Sequence, residues 1–254
     1  ALTGSREVVF LEDLRPETSW NVNANFVQKL YLEGGTYLNL DATAFYTYFT
    51  NKIIPDYDTD AQKIIYDNLD GHSVSRGVSL NVDVVFPQGF KALVGGTLMD
   101  VYVKEQGEKT RQMFTERFTM TWSLGYTFPK GGWNVDYTGN LFGPMRLPLL
   151  GELDPRPEYS PTWSIQNIQV TKPIGKSWEV YGGVKNLLNW TPAKSVPFLI
   201  ARAHDPFDKQ VSFSPEGAPL PTENNPYALT FDPSYVYASN QGIRGFLGVR
   251  FTVK

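Results

Sequence analysis

The chain has 254 residues, of which 41% are hydrophobic, 14% aromatic and 19% charged, with a net charge of -3; this suits one large all-β domain and argues against extended disorder. The near-neutral balance, with no clustered Lys/Arg face, offers no footprint for nucleic acid. The absence of cysteine excludes a disulfide framework and thiolate metal sites. No stretch reaches the roughly 18 consecutive apolar residues of a membrane helix, but a mean hydropathy of -0.29 does not exclude a membrane β-barrel, whose lumen-facing residues dilute every strand. The chain opens at Ala1 on ordinary polar sequence without a signal peptide, as expected of a mature product or of a fragment of something longer.

Taken in chain order, the elements read as strands. Residues 18–32 are the first. Over 36–50, Leu38, Leu40, Ala42, Ala44, Tyr46 and Tyr48 share one face, and Asn39, Asp41, Thr43 and Thr47 the other. Over 78–86, Val78, Leu80, Val82, Val84 and Phe86 oppose Ser79, Asn81 and Asp83; 90–102 follows with a weaker pattern. In 114–128 the alternation is strongest: Phe114, Phe118, Met120, Trp122, Leu124, Tyr126 and Phe128 against Thr115, Thr119, Thr121, Ser123 and Thr127. Residues 133–141, 162–171 and 178–188 continue the series, and 242–254 closes it with Ile243, Leu247, Val249, Phe251 and Val253 on one side. A period of two over roughly nine segments means strands with one apolar and one polar side.

The connections decide which side faces what. Tight Gly/Pro turns at 33–35, 87–89, 129–132 and 173–176 suit hairpins. They alternate strictly with long connections at 51–73, 103–113, 143–161 and 190–240. Antiparallel strands therefore collect all short turns at one end and all long loops at the other, as outer-membrane barrels do. Several segments match the 9–11 residues a tilted strand needs to cross a bilayer, and aromatics gather near strand ends, at the level of lipid headgroups. The apolar side then meets lipid and the Thr/Ser/Asn/Asp side the lumen. Glu116 breaks the apolar side near the loop end, where a charge has already risen out of the hydrocarbon. The competing reading is a soluble two-layer β protein, which shares the alternation.

Three stretches carry a family resemblance. "LRPETSWNVN" from Leu14 resembles a signature found where a barrel strand begins in TonB-dependent outer-membrane receptors. "GHSVSRGVSLNVDVVF" from Gly71 resembles their Ser-x-Gly-Val-Glu strand, with Asn81 among positions where an acidic residue is frequent. "YGGVKNLLNWTP" from Tyr181 resembles their Val-x-Asn-Leu-x-Asn segment near the end of the barrel. Their order also matches. The resemblance implies an antiparallel transmembrane β-barrel in which residues 1–254 are the C-terminal portion, roughly nine strands of a 22-stranded whole, with the plug domain and earlier strands absent from this sequence. The family's terminal aromatic is displaced to Phe251. The implied function is outer-membrane active transport of a scarce nutrient (iron–siderophore, haem, cobalamin or an oligosaccharide) driven by TonB, in a Gram-negative bacterium and without catalysis by this chain. Implied partners are the remaining strands and plug, TonB–ExbB–ExbD through the plug, outer-membrane lipid and a surface lipoprotein. A passive channel or adhesin barrel, and a soluble β-sandwich binding module, are the alternatives.

With the short turns periplasmic, the long loops are extracellular and hold the site candidates. Loop 190–240 carries eight prolines, at 192, 197, 206, 215, 219, 221, 226 and 233, which favour a fixed extended path. Arg146, Arg156, Arg202 and His204 are the ligand-binding candidates, and Arg111 and Arg117 also lie near the loops. Guanidinium groups would hold an anionic ligand, and barrel mouths are usual ligand sites. Asp56, Asp58 and Asp60, spaced at i, i+2 and i+4, would offer oxygens to Ca²⁺ in an outer loop, although the glycine and distal glutamate of an EF-hand are missing. No other cofactor is implied. His72 and His204 are the only histidines, too few for a catalytic constellation, and Gly175-Lys176-Ser177 lacks the upstream glycine of a phosphate loop. The apolar loop 140–161, with Leu147, Leu149 and Leu150, is expected to contact ligand, the large loop or a surface lipoprotein.

Overall fold

The computed structural model describes residues 7–11, 14–56, 59, 63–147, 157–195, 212–223 and 237–253. Nine long strands run in chain order: β1 Thr18–Leu32, β2 Thr36–Asn51, β3 Gly71–Val85, β4 Phe90–Glu105, β5 Phe118–Thr127, β6 Asn134–Phe142, β7 Trp163–Ile174, β8 Trp178–Lys185 and β9 Arg244–Phe251. Each pairs antiparallel with the next, so spatial order equals chain order and the sheet is a pure meander. The turns agree: at 86–90, Phe86 N–H donates to Phe90 O (2.8 Å) and Gly89 N–H to Phe86 O (3.1 Å). Gly89 sits at φ 89°, a conformation that only glycine adopts without strain.

Register keeps the two faces distinct across the sheet. Ala44 pairs Val78, Val78 pairs Leu98 and Leu98 pairs Phe118, all on the apolar face, while Thr43 pairs Ser79, Ser79 pairs Thr97 and Thr97 pairs Thr119 on the other. A slip of one residue would exchange the faces. The apolar face is open: Leu247 is 81% and Trp20 76% exposed, and Phe26, Leu80, Leu98 and Val249 are also exposed. Among the described residues no second sheet covers it. Buried hydrophobics such as Leu69, Val74, Val101 and Leu147 gather instead at the end of the sheet where the long connections lie.

The departures from expectation sit at that loop end. Segment 114–128 enters the sheet only at Phe118; Phe114 takes φ 54° and packs against buried Met145 and Leu147, away from the apolar face assigned to it. Connection 103–113 is mostly a hairpin, because β4 runs on to Glu105 and turns at Gln106-Gly107 into Glu108–Arg111. Connection 51–73 holds two more strands, Ile53–Asp56 and Lys63–Asn68, the second parallel to Glu7–Phe10. Among the described residues the large loop holds a helical turn at Pro192–Ser195 and the small hairpin Ser212–Phe213 with Pro219–Leu220; Pro197, Pro206, Pro226 and Pro233 lie outside the described residues.

Candidate functional site

The long connections fold together over the end of the sheet and enclose a cavity of about 480 Å³. Its walls come from the segment after β2 (Lys52, Ile53, Asp56), the hairpin after β4 (Arg111, Gln112, Phe114) and the loop after β6 (Arg146). Lys52 Nζ donates to Gln112 Oε1 at 2.6 Å and lies 4.9 Å from the Phe49 ring centroid. Burial lowers its pKa, opposed by the charge of Glu17. Arg111 is more constrained. Its Nη2 donates to Met99 O at 3.4 Å, its Nη1 lies 3.6 Å from Asp100 Oδ1, and its buried Nε has no partner. Desolvation, and then the neighbouring Arg117, lower its pKa, against the pull of Asp100 and Tyr159. Arg146 Nε stands 3.4 Å from Glu158 Oε1. The lining thus carries both signs, the three cations Lys52, Arg111 and Arg146 together with the acids Asp56, Asp67, Asp70 and Glu105.

Two loops make the roof. Arg146 bridges both Met113 and Tyr159; Leu147 N–H donates to Glu158 O, and Phe114 N–H to Arg146 O. Beneath them lies an aromatic stack. Phe142 and Trp163 are 4.1 Å apart, Trp163 and Trp190 4.8 Å at an interplanar angle of 7°, and Tyr237 leans on both tryptophans. Trp163 Nε1 and Tyr237 OH are buried without hydrogen-bond partners, and burial pushes the Tyr237 phenol up to about 12. Tyr237 belongs to the large loop, so the apolar loop after β6 contacts the large loop through Leu147, one of the three contacts anticipated for it.

Of the anticipated ligand residues, Arg146 lines the cavity, joined by Arg111; Arg156, Arg202 and His204 lie outside the described residues. Of the acidic triplet, Asp56 lines the same cavity and accepts a hydrogen bond from Thr59 N–H at 3.0 Å; Asp58 and Asp60 lie outside the described residues. Among the described residues no three His, Cys, Asp or Glu are grouped to hold a metal. Arg117 sits over the Tyr159 ring at 5.6 Å. His72 stacks on Tyr48 at 5.2 Å, which gives it a packing role. Lys52 and Gln112 were not anticipated: they are separated by 60 residues, and no local pattern joins them.

Residues 4–187 match the family model described as TonB dependent receptor-like, beta-barrel. The chain belongs to this family. Its folded meander is similar to parts of solved receptors: the ferric-catecholate import receptor Fiu from K12 E. coli (TM-score 0.53, 15% identity, 70% of this chain and 24% of that one), the ferripyoverdine receptor of the outer membrane of Pseudomonas aeruginosa bound to ferripyoverdine (0.51, 12%, 70% and 24%), and the FrpB iron transporter from Neisseria meningitidis (0.50, 14%, 72% and 29%). At these identities the likeness is one of fold. The chain spans about a quarter of the length of these structures. No curated protein matches it by sequence.

The stretches that carry the family resemblance act as joints of this barrel section. In the first, Glu17 Oε1 accepts Ile53 N–H at 3.0 Å, while Pro16 O accepts Asn51 Nδ2 at 2.6 Å and Arg15 O accepts Asn68 Nδ2 at 3.0 Å; together they moor the start of β1 to the end of β2. In the second, Gly77 leaves room for the Phe45 ring, which lies where a Cβ would project. In the third, buried Asn186 (φ 53°) ends β8. Its Nδ2 donates to Trp190 O (2.7 Å) and Gln241 O (3.0 Å), and its Oδ1 accepts Trp190 N–H (3.0 Å). Asn189 Oδ1 accepts Ile243 N–H at 3.0 Å, so both asparagines tie the far side of the large loop to β8 at the approach to β9.

Proposed function

We propose that this chain is the C-terminal portion of an outer-membrane receptor barrel that takes up a scarce nutrient by active transport, with energy delivered by TonB through a plug domain. The supporting observation is the meander with one open apolar face and one polar face, roofed at a single end by loops that enclose a cavity lined by charged side chains of both signs. The apolar face lies against lipid, the polar face lines the lumen, the tight turns are periplasmic and the loop-end cavity opens to the outside. The cavity offers both cationic and acidic side chains to a polar cargo, and the structural neighbours named for ferric catecholates, ferripyoverdine and iron make a ferric chelate the first choice over haem, cobalamin or an oligosaccharide. Asp56 would contribute to a Ca²⁺ site only together with Asp58 and Asp60.

The test is accumulation of a labelled ferric chelate by cells carrying the whole receptor, with and without TonB. Accumulation against a gradient that disappears without TonB is the expected result. Equal uptake in both strains would make the barrel a passive channel. Mass spectrometry of material purified in its native state identifies the cargo, and recovery of a neutral oligosaccharide would overturn the choice of a ferric chelate.

A further inference from the structure

A second concavity, of about 810 Å³, lies on the apolar face at mid-height. Its floor is Ala24, Ala42, Ala44 and Gly96, and larger side chains such as Phe26 and Met120 stand around it. The register makes it continuous across β1 to β5: Ala24 faces Ala44, Ala42 faces Leu80, Leu80 faces Gly96 and Gly96 faces Met120. Val78 and Leu98 form its loop-end border, and beyond them lies a smaller concavity lined by Arg76, Asp100 and Arg117.

That border is electropositive. Arg76 and Lys109 each contact Asp100 Oδ2 at 3.1 Å and Arg111 reaches Oδ1 at 3.6 Å, so three cations share one carboxylate. Lys104, paired with Lys109 on the same face, adds a fourth; among the described residues of β3, β4 and the hairpin after β4, the acid on this face is Asp100. The Arg76 and Lys109 side chains remain 53% and 51% exposed, and Lys109 Nζ is held 4.0 Å above the Tyr102 ring. Donors are therefore left over, at the height where the face changes from apolar to charged.

We propose that this face binds a net-anionic, phosphate-bearing lipid of the outer leaflet. An acyl chain lies over the Ala/Gly floor and the phosphate sits between Arg76 and Lys109. The inference rests on the transmembrane reading above. A shallow groove against lipid recovers dispersion contacts only when a chain settles into it, a guanidinium forks a phosphate, and each cation near a membrane surface adds attraction for an anionic headgroup. A zwitterionic lipid fills the groove equally well but gains little from the surplus positive charge, so charge complementarity selects the anionic one.

The test uses the whole receptor in nanodiscs of phosphatidylcholine with a minor fraction of lipid A, and reads lipids retained after gentle detergent release by native mass spectrometry. Wild type is expected to enrich lipid A over its bulk fraction. The double variant Arg76→Gln/Lys109→Gln should lose about tenfold of that enrichment. Gly96→Leu fills the floor without backbone strain, because a Cβ there meets only ordinary contacts at 3.6 Å, and it should weaken retention several-fold. Lipid A at its bulk fraction in wild type, or unchanged in both variants, overturns the site while the barrel reading stands. A protein that stays monodisperse in buffer without detergent overturns the barrel reading itself.

Discussion

At the scale of single residues, stability is concentrated where a side chain closes a long stretch of chain. Asn186 satisfies both backbone groups of Trp190 and the Gln241 carbonyl, 55 residues away. Asn186→Ala leaves those groups unpaired in a buried place and loses a residue suited to positive φ, so a loss of about 2–4 kcal/mol is expected, read as a lowered melting temperature in detergent. Tyr237 is the opposite case. Its hydroxyl is buried without a partner, so Tyr237→Phe should leave stability within about 1 kcal/mol of wild type at neutral pH. Alkaline melting should separate the two proteins. An unfolded tyrosine loses its proton near pH 10, whereas the folded one keeps it to about 12. Between these values the folded state holds more protons, and stability falls as pH rises; below pH 10 this contribution is absent. Tyr237→Phe should remove that part of the alkaline decline, and identical decline in both proteins would refute the assignment.

At the scale of elements, the two faces of a strand should answer differently to the same charge. Leu80 and Ser79 are neighbours in β3 on opposite faces. Leu80→Lys puts an ammonium against hydrocarbon and should cost about 2–4 kcal/mol; Ser79→Lys stays in the lumen and should be close to neutral. Equal effects, measured by folding yield into bilayers, would contradict the assignment of faces. These strands were legible because a period of two is written locally: all nine long strands, their tight turns and their sidedness follow from residues next to one another in sequence. The loop end was not legible, because its contacts are distant. Nothing near Phe114 says that it will turn to φ 54° and pack on Leu147, or that Arg76 will meet Asp100 across β3 and β4. The Glu17 to Ile53 bond likewise follows from the β1–β2 pairing rather than from any local motif. The anticipated site was legible only in part: Arg146 and Asp56 reach the cavity, chosen as charges in outer loops, while Lys52 and Gln112 needed the fold to bring them together.

At the scale of the molecule, the decisive property is the difference between the two ends. A meander in strict chain order must place every odd connection at one end and every even one at the other, so the topology alone separates tight turns from the cavity-bearing loops. The orientation in the membrane then has a direct test, because the chain has no cysteine and a single introduced thiol is the only target it offers to a maleimide. Glu108 and Lys130 are both exposed, the first at the loop end beside the turn after β4 and the second in the tight turn between β5 and β6. With a membrane-impermeant maleimide, Glu108→Cys should label in intact cells and Lys130→Cys only once the outer membrane has been opened. The reverse pattern would invert the barrel and move the cavity to the periplasmic side, where it could not meet external cargo. Labelling of both in intact cells would deny a membrane barrier between the ends, and with it the proposed transport.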